Sequence, residues 1–336
     1  MRYRRVIISR YGGPEVLQVV EENLREPQPG EVRVKVLAAG VSWVDYMMRY
    51  GLYPRQPKPP FTPGYDVVGI IDQAGAGATQ FARGQNVAAL LIYGGYSEYV
   101  FVPEEKLVPV PEDLDPTEAV CLVLNYVTAY QMLHRMVRLQ TGRRLLVHSA
   151  AGGVGTALLQ LGRLIGLQMF GTASESKHGL IEKLGARPID YRNEDFVQWI
   201  LHLTRDGVDL VCDAIGGTHW IRSYRCLRPG GTLLAYGSQA LLVNGRKSFA
   251  RTLGVYASAA LLYMRPGHGR FRFYSITSTR KRHPEWFRED LATLFQLLRE
   301  RRIQPIIAER VPFTEARLAN ELLEQGAVQG KVVLTF

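Results

Sequence analysis

The most chemically suggestive part of the chain is one stretch, Arg143 to Arg163. Leu145, Leu146 and Val147 form a short apolar run that reads as a buried parallel strand. The turn Ala150-Ala151-Gly152-Gly153-Val154-Gly155 follows, and Val154, Ala157, Leu158, Leu161 and Ile165 then fall on one face of a helix of period 3.6. Strand, glycine turn and helix together can cradle a pyrophosphate. Glycines let the backbone approach the phosphates, and the helix start offers free N–H groups and partial positive charge. The first glycine of G-x-G-x-x-G is Ala150 here, so the strand–turn–helix context carries the reading rather than the motif.

The elements that must position this turn fall into two textures. Residues 1–120 are rich in short β-prone runs (Val6–Ile8, Val16–Val20, Val32–Ala38, Val67–Gln73, Asn86–Leu91, Tyr96–Val102 and Leu107–Val110) separated by Gly and Pro breakers. That spacing predicts a compact barrel, interrupted by one helix around Val44–Tyr50. From Asp115, a candidate N-cap before Pro116, a helix is predicted to Val137. Strands at Leu145–Ser149, Gln168–Thr172, Pro188–Asp190, Val208–Asp213 and Thr232–Tyr236 then alternate with helices, the pattern of a parallel sheet covered on both faces. A long connection, Gly237–Arg270, leads to a strand-like run Phe271–Ile276 and a helix Pro284–Arg302, and Lys331–Phe336 reads as a strand rejoining the first region.

Composition narrows the function classes. The chain has 336 residues, 46% of them hydrophobic, enough for roughly two domains. Cys121, Cys212 and Cys226 are widely spaced, which argues against a disulfide framework or a thiolate metal site and fits a reducing, cytoplasmic setting. No apolar run follows Arg2, Arg4 and Arg5, so a secretory leader is not expected. The net charge of +10 comes with no nucleic-acid motif and with arginines scattered along the chain, so nucleic acid is not an expected partner.

Over essentially its whole length the chain resembles the medium-chain dehydrogenase/reductase superfamily, in its zinc-free quinone oxidoreductase branch. The resemblance rests on Gly12-Gly13-Pro14-Glu15-Val16-Leu17, Gly51-Leu52-Tyr53-Pro54, Pro63-Gly64-Tyr65-Asp66, the glycine turn and Gly330-Lys331. Within that branch Leu124–Tyr130, Phe170–His178 and Pro188–Tyr191 look most like the vesicle amine transport protein homologues. It implies an α/β fold: a GroES-like β-barrel catalytic domain (residues 1–122 and 282–336) and a Rossmann doubly wound parallel-sheet domain (123–281). Where zinc-dependent members carry the first Cys of their metal site, this chain has Ser42; Gly64-Tyr65-Asp66 stands in place of Gly-His-Glu, and the four-cysteine lobe is missing. No metal is therefore expected.

Without a Lewis acid, hydride delivery to a quinone or an activated double bond remains feasible, because the substrate's own conjugation carries the developing charge. The strand after the glycine turn ends Gly171-Thr172-Ala173-Ser174 with no acid at its tip to bind a ribose 2′-hydroxyl. The resemblance assigns Ser174, Lys177 and Tyr191 to a 2′-phosphate, a donor set suited to a dianion, and so NADP(H) as cofactor. It further assigns Ala151, Gly152, Gly153, Val154 and Gly155 to the pyrophosphate. Asp45, Asn125, Thr128, Gly216, Tyr236, Gly237, Ser238, Gln239 and Lys331 complete the cofactor contacts it implies. At the catalytic edge Ser42 replaces a common Asn with a shorter donor, Tyr53 is the candidate for orienting the substrate, and solvent protonates the product.

Two functions follow as expectations: a zinc-independent NADPH-dependent oxidoreductase for a quinone or enone, or a membrane-associated lipid or small-molecule binding protein that keeps the cofactor fold with little or no turnover. The second is motivated by Leu253–Met264, an apolar segment too short to span a bilayer, with Arg246, Lys247, Arg251, Arg265 and Arg270 around it for an anionic surface. The family also implies a homodimer.

Overall fold

The computed structural model describes residues 1–243, 246–247, 249–264 and 269–336. It divides into two compact units, Met1–Asn125 with Arg288–Phe336, and Tyr126–Phe287. The expected flanking residue Arg265 lies outside the described residues.

In the first unit, Glu31–Val41 is the central strand. It pairs antiparallel with Asp66–Ala74, Tyr99–Pro103 and Lys331–Thr335. The sheet continues through Asn86–Leu90 to Leu107–Pro109 on one side and to Ile307–Pro312 on the other. The hairpin of Arg2–Ile8 and Leu17–Asn23 joins by bridges from Arg5 to Ser97 and from Ile8 to Phe61. Alternate residues of the central strand (Val32, Val34 and Val36) are buried in a core of Val, Ile, Leu and Phe side chains, as the period of two requires.

The second unit holds a six-stranded, fully parallel sheet. Its order is Ala186–Asp190, Gln168–Ala173, Arg144–Val147, Val208–Asp213, Leu227–Ala235 and Gly269–Phe273. In chain sequence this is 3-2-1-4-5-6, the Rossmann order, which reverses direction between Arg144–Val147 and Val208–Asp213.

The expected connection Gly237–Arg270 contains the helix Phe249–Met264, and two further elements differ from the sequence expectation. The helical run from Pro116 to Val137 is α-helical over Pro116–Cys121 and Val127–Tyr130 and π-helical over Leu122–Tyr126 and Gln131–Val137. Asp115 does cap it, its Oδ1 accepting from the N–H groups of Thr117 and Glu118. The last strand of the parallel sheet spans Gly269–Phe273 rather than Phe271–Ile276, because Ser275 caps a new helix, Ile276–Arg282.

Candidate functional site

The glycine turn stands at the reversal point of the parallel sheet. Gly152 is the N-cap of the helix Gly153–Ile165, and no side chain caps that end. The first N–H groups of a helix have no intrahelical acceptor, so Gly153, Val154 and Gly155 present orphan donors and the positive end of a 13-residue helix. A Cβ on Gly155 would lie 2.4 Å from Ser149 O and 2.6 Å from Ala150 O, so only glycine lets the turn fold this closely. Ala151 is buried behind it. This donor set fits a pyrophosphate.

The next strand, Gln168–Ala173, ends at Ser174, with no carboxylate among its closing residues. Ser174 Oγ lies 3.4 Å from Ser176 Oγ. Lys177 is half-buried. Burial first, then the Arg192 guanidinium, hold its ammonium below the usual lysine range. Arg192 stands 5.8 Å from the ring of Tyr191, which is exposed. Arg192 thus acts electrostatically on Lys177 and lies beside the Tyr191 ring, near the end of a strand whose closing residues carry no acid.

A buried polar network fixes the loops around this point, and the sequence reading did not anticipate it. His148 ends the first strand, its N–H bonded to Cys212 O, and its ring is 1% exposed. Ser223 Oγ donates to Asp213 Oδ2 at 2.6 Å, so it must accept from His148 Nε2 at 3.0 Å; His148 Nδ1 then accepts from Thr172 Oγ1, also at 3.0 Å. His219 Nδ1 donates to the same carboxylate at 2.7 Å. The other Asp213 oxygen accepts from the N–H groups of Ile215 and Gly216 at 2.7 and 3.4 Å, so the carboxylate shapes the loop that carries Gly216. Burial works against the charge on Asp213, but its bond to His219 and the neighbouring imidazoles hold it at about 2. Burial lowers His148 to about 3, against the pull of Asp213. The readable signal would have been Asp213 standing directly after the apolar run Leu210, Val211 and Cys212 at the end of the strand Val208–Asp213.

Among the described residues, His148, Asp213 and His219 are the one group whose atoms could converge on a metal ion, all within 4.8 Å of one another. Ser223 Oγ already sits among them and each donor has a hydrogen-bond partner, so the arrangement is a satisfied network rather than a ligand cage.

The loop after the fifth strand is pinned to the one after the fourth. Tyr236 N–H donates to Asp213 O, Gln239 N–H to Ala214 O, and Ala240 N–H to Ile215 O. Gly216 has φ +94°, and a Cβ there would press on Ser238 Cα at 3.1 Å. Gly237 packs against Ala214. Thr128, on the Val127–Tyr130 turn, is buried.

In the first unit, Ser42 begins the helix Trp43–Arg49 with a capping box, its N–H and Oγ both donating to Asp45 Oδ2 at 2.8 Å. Asp45 is fully buried and also accepts from Gly64 N–H and Tyr96 OH. Burial lifts its carboxyl to about 6, against the bonds from Ser42 and Gly64. Lys331 Nζ donates to Asp66 Oδ2 at 2.7 Å, and both side chains are buried. A Cβ on Gly40 would fall 2.3 Å from that ammonium, so glycine leaves room for the pair. Burial raises the Asp66 carboxyl more than the Lys331 charge lowers it. The fully buried Arg49 bonds Asn320 Oδ1 and Gly12 O and pairs with Glu324, tying the Ser42 helix to Ala316–Glu324.

Tyr53 is half-buried, its hydroxyl 2.8 Å from that of Tyr65. Asn125, on the π-helical turn Leu122–Tyr126, is buried. Ser42 and Tyr65, at the positions matched to metal ligands in zinc-dependent members, are a hydroxyl and a phenol engaged with Asp45 and Tyr53. Neither is the thiolate or imidazole that a structural or catalytic zinc requires.

A GroES-like sheet unit and a Rossmann sheet with a glycine turn at its reversal point define a medium-chain dehydrogenase/reductase. The family models agree: "Alcohol dehydrogenase GroES-like domain" matches residues 28–112 and "Zinc-binding dehydrogenase" matches 184–334. Quinone oxidoreductase from Pseudomonas aeruginosa is 34% identical over 98% of this chain and 99% of its own length. The mouse synaptic vesicle membrane protein VAT-1 homolog-like is 36% identical over 73% of this chain, a match that spans only 59% of that relative's length. Escherichia coli quinone oxidoreductase, solved in complex with NADPH, superimposes with a TM-score of 0.88 at 29% identity, covering 99% of this chain and 100% of its own. The chain belongs to the medium-chain dehydrogenase/reductase family, in its zinc-free quinone oxidoreductase branch.

Proposed function

We propose that the protein is an NADPH-dependent oxidoreductase that delivers hydride to a quinone or an α,β-unsaturated carbonyl. The observation that carries this is the cation pair Lys177 and Arg192, with Tyr191 and Ser174, beside an uncapped glycine helix start and no acid at the strand tip. NADPH, when bound, supplies the hydride. Gly152–Gly155 with Ala151 would bind the pyrophosphate through backbone N–H groups; Ser174, Lys177 and Tyr191 would hold the 2′-phosphate. Gly216, Tyr236, Gly237, Ser238, Gln239, Asn125 and Thr128 would line the nicotinamide end. Asp45 and Lys331, both buried, would act through what they hold: Asp45 through the start of the Ser42 helix, Lys331 through Asp66. Tyr53 would donate to the substrate oxygen as charge develops there; Ser42 would join it only by turning its single O–H away from Asp45.

The reading is supported by relatives named as quinone oxidoreductases and by a neighbour solved with NADPH. We further propose a homodimer through Gly269–Phe273, which among the described residues has a neighbour on one side only within its sheet, and a cytoplasmic setting. The test is NADPH oxidation with a panel of quinones and enones, without added metal. Steady turnover of at least one class is expected, and none with any acceptor, despite NADPH binding, would refute it.

One observation favours a second reading, a peripheral contact with an anionic membrane. The helix Phe249–Met264 exposes Leu253, Tyr256, Leu261, Tyr263 and Met264, and Arg251 is exposed on it too. No helix among the described residues is long and apolar enough to cross a membrane.

A further inference from the structure

Tyr65 is placed with unusual firmness for a side chain that no part of the reaction has yet used. It is 1% exposed, and its carbonyl accepts from the N–H groups of Leu91 and Ile92. The residue before it, Gly64, has φ +105°, and a Cβ there would lie 2.6 Å from Tyr96. Gly64 also donates its N–H to the buried Asp45 at 3.0 Å. The backbone at Tyr65 is therefore fixed from both sides.

Its hydroxyl reaches the Tyr53 hydroxyl at 2.8 Å, with the two rings edge-on at 88° and 6.0 Å between centroids. Tyr53 is itself steadied on its turn: its N–H donates to Gln56 Oε1 at 2.9 Å, and Gln56 Nε2 donates to Met48 O at 2.8 Å. A rigid, buried phenol thus holds a half-buried one by the oxygen. A phenylalanine would fill the same volume at position 65, so packing alone does not account for the hydroxyl.

Resting on the proposed function, we propose that Tyr65 is a positioning residue for the reduction: its O–H donates to the Tyr53 oxygen and thereby aims and strengthens the Tyr53 O–H as donor to the substrate carbonyl. Hydrogen bonds in series polarise one another, so a Tyr53 that accepts from Tyr65 is the better donor. Hydride brings two electrons and one hydrogen to the substrate carbon as NADPH becomes NADP⁺. Negative charge then gathers on the carbonyl oxygen, where the Tyr53 hydroxyl stabilises it. Water supplies the proton that completes the product, and neither tyrosine is consumed.

The experiment is a double-substitution cycle on the full chain: wild type, Tyr53→Phe, Tyr65→Phe and the pair, with kcat for 1,4-benzoquinone measured across pH and NADPH binding followed by nicotinamide fluorescence. Tyr65→Phe is expected to lower kcat roughly five- to tenfold with NADPH affinity unchanged, the loss of one hydrogen bond. In the Tyr53→Phe background it should have no further effect. Because Tyr65 favours the Tyr53 phenolate, the basic limb of the kcat profile should move to higher pH in Tyr65→Phe, a shift that a purely structural role would not produce. Full activity in Tyr65→Phe, or losses that add in the pair, would overturn the inference. A wild type that binds NADPH but reduces no quinone or enone would overturn the proposed function, and this inference with it.

Discussion

His148 makes the second unit acid-sensitive in a way that a single substitution can isolate. Its ordinary value of 6.5 is carried down to about 3 by burial, and at 1% exposure the imidazole has no solvent to screen the effect. The unfolded chain takes up a proton on this side chain as pH drops below 6.5, while the folded protein holds it neutral until about 3. The unfolded state therefore binds more protons across that window, and stability falls as pH falls through it. At about 1.36 kcal/mol per unit, the loss should be about 2 kcal/mol by pH ~5, with a ceiling near ~5 kcal/mol below the folded value. His148→Gln retains a donor and an acceptor for Ser223 and Thr172 and removes the titration. Urea unfolding at about pH 7 and about pH 5, followed by tryptophan fluorescence (Trp199, Trp220 and Trp286 lie in this unit), reads the difference. Wild type should lose about 2 kcal/mol more than the variant between the two conditions. Equal losses in the two proteins would refute the argument that His148 is buried neutral.

Three other expectations follow from the same geometry. Gly155→Ala should destabilise the second unit by about 2 kcal/mol or more and weaken NADPH binding, because its Cβ would meet backbone oxygens at 2.4 and 2.6 Å; calorimetry and cofactor titration together check it. Lys331→Met should cost roughly 3–5 kcal/mol, since it strands the fully buried Asp66 carboxylate, and the loss should shrink as pH falls and Asp66 takes up a proton; thermal melts over pH test this, and an unchanged melting temperature would contradict it. For the helix Phe249–Met264, co-sedimentation with vesicles containing acidic lipid should show salt-sensitive binding that Leu253→Asp with Tyr256→Asp abolishes; binding equal in neutral vesicles, or none at all, would remove the membrane reading.

The parts of the fold that were legible in the sequence are those governed by local periodicity. Ala157, Leu158 and Leu161 are buried on the glycine-turn helix as their spacing predicts, and the first five strands of the parallel sheet in chain order overlap the runs read for them. The π-helical turns at Leu122–Tyr126 and Gln131–Val137 were not legible, because one residue added to a turn leaves the apolar pattern nearly intact. The apolar run Leu253–Met264 reads either as a helix covering a cleft or a dimer face or as a membrane contact, and it lies in the helix Phe249–Met264. Val255 and Leu262 on it are buried while Leu253, Tyr256, Leu261 and Tyr263 are exposed, so the apolar pattern alone does not say which side packs. At the candidate site, glycines and the missing acid were visible because each acts through its own backbone or its own absence. The partnerships were not: Lys331 meets Asp66 across 265 positions and Arg49 meets Asn320 across 271, and no local pattern encodes either. His148, Ser223 and Asp213 likewise become a unit only when the parallel sheet sets two strands and a helix side by side.

In the function proposed above, the second unit selects the 2′-phosphate of NADPH through Lys177 and its neighbours. This selection is tested most directly by titrating wild type and Lys177→Ala with NADPH and NADH, following nicotinamide fluorescence. Wild type should bind NADPH more tightly than NADH, and Lys177→Ala should lose roughly tenfold or more in NADPH affinity with NADH affinity little changed. Equal or tighter binding of NADH by the wild type, or a Lys177→Ala variant that binds NADPH as before, would contradict it.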